Sequence, residues 1–306
     1  MNIYSDFGLG SNIGGLGLRL VQYTVQGESR LGVVMADRIV DVRKAADSAG
    51  QDTKAFTSTL ALLEAGDEAL AFVRSLRGES NAVPLSGVRL ECPVASRKIV
   101  AVGLNYKDHA IEAGLKIPSV PLCFAKFTSS LSGPFDPIQL PAEDSQVDFE
   151  GELGVIIGRK ARRVAESDAM ADVAGYVVFN DVSARRWQFD DGQWTRGKSC
   201  DTFAPNGPFL VTADEVPDPG ALRITTRLNG EIMQDSNTNQ LIFNIPKIVS
   251  YFSHSFTLDP GDLIATGTPA GVGFSRKPPV YLNDGDVVEV EIERIGRISN
   301  RVQRGY

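Results

Sequence analysis

Histidine and cysteine are both scarce: two histidines, His109 and His254, and three cysteines, Cys92, Cys123 and Cys200, in 306 residues. So few imidazoles nearly exclude a histidine-rich zinc or non-haem iron centre. Three thiols without a Cys-x-x-Cys pair support neither a disulfide framework nor a thiolate zinc site, and they read as small buried hydrophobes. No stretch approaches the roughly 18 uninterrupted apolar residues of a membrane helix, and the basic start and apolar block of a secretion signal are missing, so a cytoplasmic protein is expected. Excess positive charge is missing too. A net charge of −7 argues against nucleic acid or an anionic membrane as the main partner. What remains is 42% hydrophobic and 23% charged, an ordinary globular composition with room for one large domain and a smaller one. Small-molecule chemistry suits it best.

Carboxylates carry the strongest signal. Glu150 and Glu152 stand in the run Val147-Asp148-Phe149-Glu150-Gly151-Glu152-Leu153-Gly154-Val155-Ile156-Ile157, and Asp181 ends Tyr176-Val177-Val178-Phe179-Asn180. Acids at i and i+2 on a strand share a face, and a third acid leaving an apolar strand can meet them there. Three carboxylates a few Å apart cannot all ionise near neutral pH without positive charge among them, and an all-oxygen set suits magnesium or manganese. The same spacing also fits two acids on the solvated face of a half-exposed strand.

Along the chain, residues 1 to 18 are Gly-rich and read as a flexible lead-in; a dinucleotide loop there would need a preceding strand that seven residues do not supply. Two alternating segments from Leu20 to Val42 around Gln26-Gly27-Glu28-Ser29 predict a hairpin. A helical stretch follows from about Thr53 to Leu76, with Leu60, Leu62, Leu63 and Leu70 as core candidates. Punctuation by Pro84, Gly87 and Pro93 places a boundary near residue 95, giving a small N-terminal α+β domain over 1–95 and a main domain over 96–306. The latter opens on Lys98-Ile99-Val100-Ala101-Val102-Gly103 and is mostly strands, at 155–157, 176–179, 209–211, 223–228, 263–266 and 287–292. Asp259-Pro260-Gly261-Asp262 and Asn283-Asp284-Gly285-Asp286 are strong turn signals.

Three further segments carry chemistry. In Gly103-Leu104-Asn105-Tyr106-Lys107-Asp108-His109-Ala110-Ile111-Glu112-Ala113-Gly114, a strand ends at Gly103 and a short helix runs from about Tyr106 to Ala113. His109 and Glu112 share a face there, so the carboxylate can hold the imidazole in one tautomer and make it a general base; a surface helix pair is the alternative. Trp194-Thr195-Arg196-Gly197-Lys198-Ser199-Cys200-Asp201 places Arg196 and Lys198 in a Gly-containing loop. Thr266-Gly267-Thr268-Pro269-Ala270-Gly271-Val272-Gly273 is no Walker loop, but its amides could face an anion. His254, on an apolar helix, reads as structural, and Trp187 and Trp194 as packing.

Taken as a set, Gly-Leu-Asn-Tyr-x-x-His-x-x-Glu, Phe124-Ala125-Lys126, Asp148-Phe149-Glu150-Gly151-Glu152-Leu153, Asn180-Asp181-Val182-Ser183-Ala184-Arg185, Gly197-Lys198-Ser199 and Thr266-Gly267-Thr268-Pro269 resemble the fumarylacetoacetate hydrolase superfamily over roughly residues 96–300. The resemblance implies an α+β fold with a mixed β-sandwich or β-roll core and short helices. It implies Mg2+ or Mn2+ held by Glu150, Glu152 and Asp181, and catalysis by His109, Glu112 and Lys198, the first two on a lid helix. Lys126, Arg185, Gln188 and Thr268 become candidates to orient a 2-oxo acid substrate, and a homodimer is expected. The expected reaction is hydrolysis of an acylpyruvate to pyruvate and a carboxylic acid, with water activated by His109 and Glu112 and the ion stabilising the pyruvate enolate. The same enolate chemistry also serves 2-hydroxydienedioate isomerisation and oxaloacetate decarboxylation. A sugar-acid lyase or dehydratase, or a non-catalytic metal-binding protein, are the further alternatives.

Overall fold

Gln26 and Gly27 turn the chain between β1 (Arg19–Val25) and β2 (Glu28–Met35), and β3 (Arg38–Asp41) extends the expected hairpin into a meander. The computed structural model describes residues 17–76, 82–141 and 146–305. Most of the Gly-rich opening therefore lies outside the described residues. Leu18, however, is already anchored: its N–H donates to Thr212 Oγ1 and its carbonyl accepts from Thr212 N.

Helix α1 (Val42–Ser48) begins where the hairpin was expected to end, because the Asp41 carboxylate caps it by accepting from Lys44 N. The single helical stretch expected over 53–76 is instead three pieces: a 3-10 turn at Thr53–Phe56, α2 (Thr59–Ala65) and α3 (Asp67–Ser75). Asp52 and Ser58 each cap a new start, and Gly66, at φ 81, ends α2. Leu62 and Leu63 are buried, with Leu60 and Leu70 partly buried beside them.

Besides six short strands of two or three residues, the described residues form β4 (Ile99–Gly103), β5 (Leu122–Lys126), β6 (Gly151–Ile157), β7 (Val173–Asn180), β8 (Ala204–Thr212), β9 (Arg223–Leu228), β10 (Glu231–Asn237), β11 (Leu263–Ala265), β12 (Val287–Ile292) and β13 (Gly296–Arg304). In the large twelve-stranded sheet the order is β3-β2-β1-β8-β7-β6-β11-β4-β5, antiparallel except for the β11–β4 pair. The β1–β8 pairing makes the N-terminal meander continuous with the strands beyond residue 98. A second sheet runs β10-β9-β12-β13 and ends on Ile138–Leu140.

Side chains of the central strands alternate between two cores. Tyr176 and Val178 join Val155, Ile224, Val290 and the helix Ile245–Ser255 on one face; Val177 and Phe179 join Leu20, Leu210, Leu62 and Leu63 on the other. A sheet buried on both faces explains why β6, β7 and β8 read as nearly continuous apolar runs. Among the described residues no helix is long and apolar enough to cross a membrane. Cys92 and Cys200 are partly buried, but Cys123 is exposed on β5, so the expectation of three buried thiols fails at that edge strand.

Candidate metal centre and lid

The register of β6 against β7 puts Gly151 opposite Asn180, so the residues flanking that pair, Glu150 and Asp181, come side by side; Asp181 N donates to Glu150 O at 2.8 Å. Glu152 follows two residues on. One carboxylate oxygen from each of the three lies within 4.8 Å of the others, and all three residues are buried. The solvated-face alternative is thereby removed. Both strands are buried on both faces, so acids at their ends stay inside.

Three buried cations answer part of this charge. Lys198 Nζ bridges Glu150 Oε2 at 2.8 Å and Asp181 Oδ2 at 2.9 Å, and Lys126 Nζ reaches Asp181 Oδ1 at 2.5 Å. Arg185 spans Asp148 Oδ1 and Glu150 Oε1, each at 2.6 Å, and donates to Gln188 Oε1 at 3.0 Å. Its guanidinium stacks 4.3 Å over the Phe274 ring. Burial by itself would raise Glu150, but Lys198 and Arg185 outweigh it and hold that carboxyl at about 2. The lysines diverge: burial lowers Lys126, whereas Asp181 and Glu150 overcome burial and raise Lys198.

Glu152 is treated differently. Among the described residues no lysine or arginine pairs with it; its Oε2 accepts only the Gly267 N–H, at 2.8 Å. Burial, and then repulsion from Asp181 and Glu150, push its carboxyl well above the ordinary range. A buried carboxylate lacking a cation, beside two more acids and only oxygen donors, is what a hard divalent ion satisfies. The residues fit Mg2+ or Mn2+, with Glu150, Glu152 and Asp181 as the protein's ligands.

Over this cluster sits α4 (Lys107–Glu112), close to its expected span. His109 is buried, and its Nδ1 lies 3.3 Å from Glu112 Oε2. Glu112 uses its other oxygen to accept from Gly271 N at 3.0 Å, while Asp108 Oδ2 accepts from Ser236 Oγ at 2.5 Å. The loop from Thr266 to Gly273 thus offers amides to two carboxylates of the protein itself, Glu152 through Gly267 and Glu112 through Gly271. Both glycines have φ near +100°, and a Cβ on Gly271 would lie 2.0 Å from Met233 O.

Direct contacts therefore join Lys126, Glu150, Asp181, Arg185, Gln188 and Lys198; Gly267 ties in Glu152, and Gly271 ties in Glu112 and His109. Thr268 is adjacent, but its hydroxyl proton goes to Gly151 O at 2.9 Å. Lys198 and Arg196 lie on a short helical turn, Thr195–Lys198, rather than a loop, and Arg196 is an exposed partner of Asp191. Trp194 packs edge-on against Phe124, Trp187 lies under Arg196, and His254 bonds to Ser250 O, so none of the three enters the cluster. Two residues without an assigned role in the sequence reading belong here. Asp148 is fully buried between Arg185 Nε and Phe274 N, and it could have been found by extending the Glu150–Glu152 alternation back two positions. Gln234 has no local sequence signal.

Residues 98–303 match the family described as Fumarylacetoacetate (FAA) hydrolase C-terminal. The chain is 48% identical over 243 residues to the mitochondrial oxaloacetate tautomerase Fahd2a of Rattus norvegicus, covering 78% of each. Among solved structures, the 2-hydroxyhepta-2,4-diene-1,7-dioate isomerase of Mycobacterium marinum superposes with TM-score 0.75 at 34% identity, covering 94% of this chain and 98% of that one. The maleylpyruvate hydrolase of Sphingobium sp. SYK-6, solved with manganese(II) and pyruvate, gives TM-score 0.75 at 34% identity, covering 94% and 100%.

Proposed function

The chain belongs to the fumarylacetoacetate hydrolase family, and from that premise we propose that it is a divalent-metal-dependent enzyme interconverting the enol and keto forms of oxaloacetate. The observation that carries the reading is a buried acidic triad with one uncompensated carboxylate, Glu152, beneath a single proton-handling pair, His109 and Glu112. The similarity to an oxaloacetate tautomerase supports the choice of substrate.

A divalent ion at the triad would supply Lewis-acid stabilisation of the charge that develops on the 2-oxygen as the carbon-3 proton leaves. The chain does the rest. With Nδ1 on Glu112, His109 has Nε2 with which to take the proton from carbon 3; a proton added to the 2-oxygen completes the enol, and the reverse sequence restores the ketone. No other reactant is consumed. Arg185, Lys198 and Lys126 hold fixed positive charge that suits a dicarboxylate, and Gln188 orients the Arg185 guanidinium.

Acylpyruvate hydrolysis is the second reading. It is favoured by the likeness to a maleylpyruvate hydrolase solved with manganese(II) and pyruvate, and here the His109–Glu112 pair would activate water. One assay separates the two: protein loaded with Mn2+ or Mg2+, with a chelator control, is offered enol oxaloacetate and maleylpyruvate, and products are identified. Metal-dependent loss of the enol with oxaloacetate otherwise intact supports the tautomerase. Pyruvate release from maleylpyruvate, with no effect on the enol, would replace it by the hydrolase.

A homodimer belongs to the same proposal. Strand β5 ends the large sheet, and Leu122 and Phe127 stand 42% and 61% exposed along it. A second copy, pairing this edge with its own equivalent about a two-fold axis, would cover both. Light scattering that returns a monomer at micromolar concentration would remove this part.

A further inference from the structure

Gln234, on β10, is 1% exposed, and its carboxamide is fully used. Oε1 accepts from Gly151 N at 2.9 Å and Thr226 Oγ1 at 2.7 Å; Nε2 donates to Thr268 Oγ1 at 2.8 Å and Pro269 O at 2.9 Å. The orientation of the amide is fixed, because a backbone N–H can only donate and a proline carbonyl can only accept. It follows that Thr268, receiving from Nε2, turns its own proton to Gly151 O.

Gly151 lies between the ligands Glu150 and Glu152, and both of its backbone groups are held from outside the large sheet's ladder, one by Gln234 and one by Thr268. A Cβ at this glycine would lie 2.3 Å from Thr226 Oγ1, so the close approach requires glycine. On the other side, the loop that Gln234 grips through Thr268 and Pro269 is the loop whose amides hold Glu152, at Gly267, and Glu112, at Gly271. One side chain therefore stands between the strand that bears two metal ligands and the loop that gives Glu152 its hydrogen bond, through Gly267, and steadies the His109–Glu112 pair on α4, through Gly271.

We infer that Gln234 is a positioning residue that sets the loop from Thr266 to Gly271 against the Glu150–Glu152 strand, and so fixes both the spacing of the metal ligands and the pose of Glu112. The inference rests on the metal-centred reading of the site. Residues behind metal ligands typically govern affinity by 10–100-fold.

Two substitutions resolve its halves. Gln234→Leu removes every contact, whereas Gln234→Glu retains an acceptor for Gly151 N and Thr226 but withdraws the donor from Pro269 O and forces the Thr268 proton away from Gly151 O. Binding of Mn2+ by electron paramagnetic resonance, backbone amide exchange and thermal unfolding are measured on both. Gln234→Leu is expected to weaken Mn2+ binding by about 10–100-fold. Both variants should speed exchange at Gly267 and Gly271, and Gln234→Glu should leave the Gly151 amide protected. Wild-type exchange at Gly267 and Gly271 in both variants overturns the inference. So does faster exchange throughout the chain in step with a lowered melting temperature, which would make the role merely structural. Failure of the wild type to bind Mn2+ would sink the metal reading instead, and the exchange data would still decide the role of Gln234.

Discussion

Glu150 and Glu152 leave the same strand two residues apart, both buried, but cations crowd only the first. Lys198 and Arg185 bond Glu150 and hold it ionised, whereas Glu152 bonds one backbone amide and feels Lys198 only without a direct contact, against burial and two like charges that outweigh it. Burial alone is thus not what makes the site demand a metal. The half of the cluster nearest Arg185 and Lys198 is balanced within the protein; the half at Glu152 is the part whose charge a divalent ion would answer. Helix α4 differs again, since it is six residues long and is held to the body by carboxylate contacts from Asp108 and Glu112.

The largest effects should come from neutralising the two glutamates in turn. Either Glu150→Gln or Glu152→Gln should weaken Mn2+ binding by at least about 100-fold, as loss of a ligand exceeds loss of the groups behind it. Their metal-free stabilities should part. Glu150→Gln takes one of two carboxylates from each of Lys198 and Arg185, which keep Asp181 and Asp148, and should lower the melting temperature, while Glu152→Gln relieves repulsion and should melt no lower than wild type. Equal melting shifts in chelator would break the contrast.

His109→Ala should lower kcat by roughly 10²–10⁴-fold, the usual worth of a positioned acid–base group, and leave Mn2+ affinity near wild type. Normal turnover would reassign the base. A parallel loss of metal would place His109 among the ligands.

Protons supply the next contrast. In the metal-free protein Glu152 has a folded-state pKa above its ordinary 4.5, so its contribution to stability is complete below that value and is lost as pH rises through the raised one. Glu150, held at about 2, behaves oppositely: its contribution is present above 4.5 and is lost as pH falls toward 2. Mn2+ must displace the Glu152 proton, so affinity should climb with pH, by up to about tenfold per unit, until Glu152 is ionised. Calorimetry in buffers of different ionisation enthalpy checks the proton count, and Glu152→Gln should flatten the stability change.

The smallest effect belongs to α4. Asp108→Ala removes the partly buried Ser236 contact and should speed amide exchange across Lys107–Glu112 several-fold, with a modest rise in KM, since one such hydrogen bond is worth about 1 kcal/mol. Unchanged exchange would mean that Glu112 and Gly271 hold the helix without it.

The parts legible in the sequence are those whose signal is local. Two acids at i and i+2 before an apolar run, a third acid closing the next such run, and His109 three residues before Glu112 made the triad and the pair candidates, because strand and helix periods dictate those faces; the family resemblance singled them out over solvated faces. Glycines at 267 and 271 marked amide donors, though not which acids they would meet. Gln234 could not be found this way: it sits in Glu231–Asn237 without strong alternation, and beyond its hairpin neighbour Thr226 its partners Gly151 and Thr268 are 83 residues upstream and 34 downstream. The expected continuous 53–76 helix was overridden by caps at Asp52 and Ser58 and by the left-handed Gly66, where leucine periodicity alone favoured one element.

The most direct test is anomalous diffraction from crystals soaked in Mn2+, with Glu152→Gln crystals treated alike. The account predicts one strong anomalous peak bounded by the Glu150, Glu152 and Asp181 carboxylates in the wild type and its loss in the variant. No peak among these three carboxylates, or an equal peak in the variant, would contradict it.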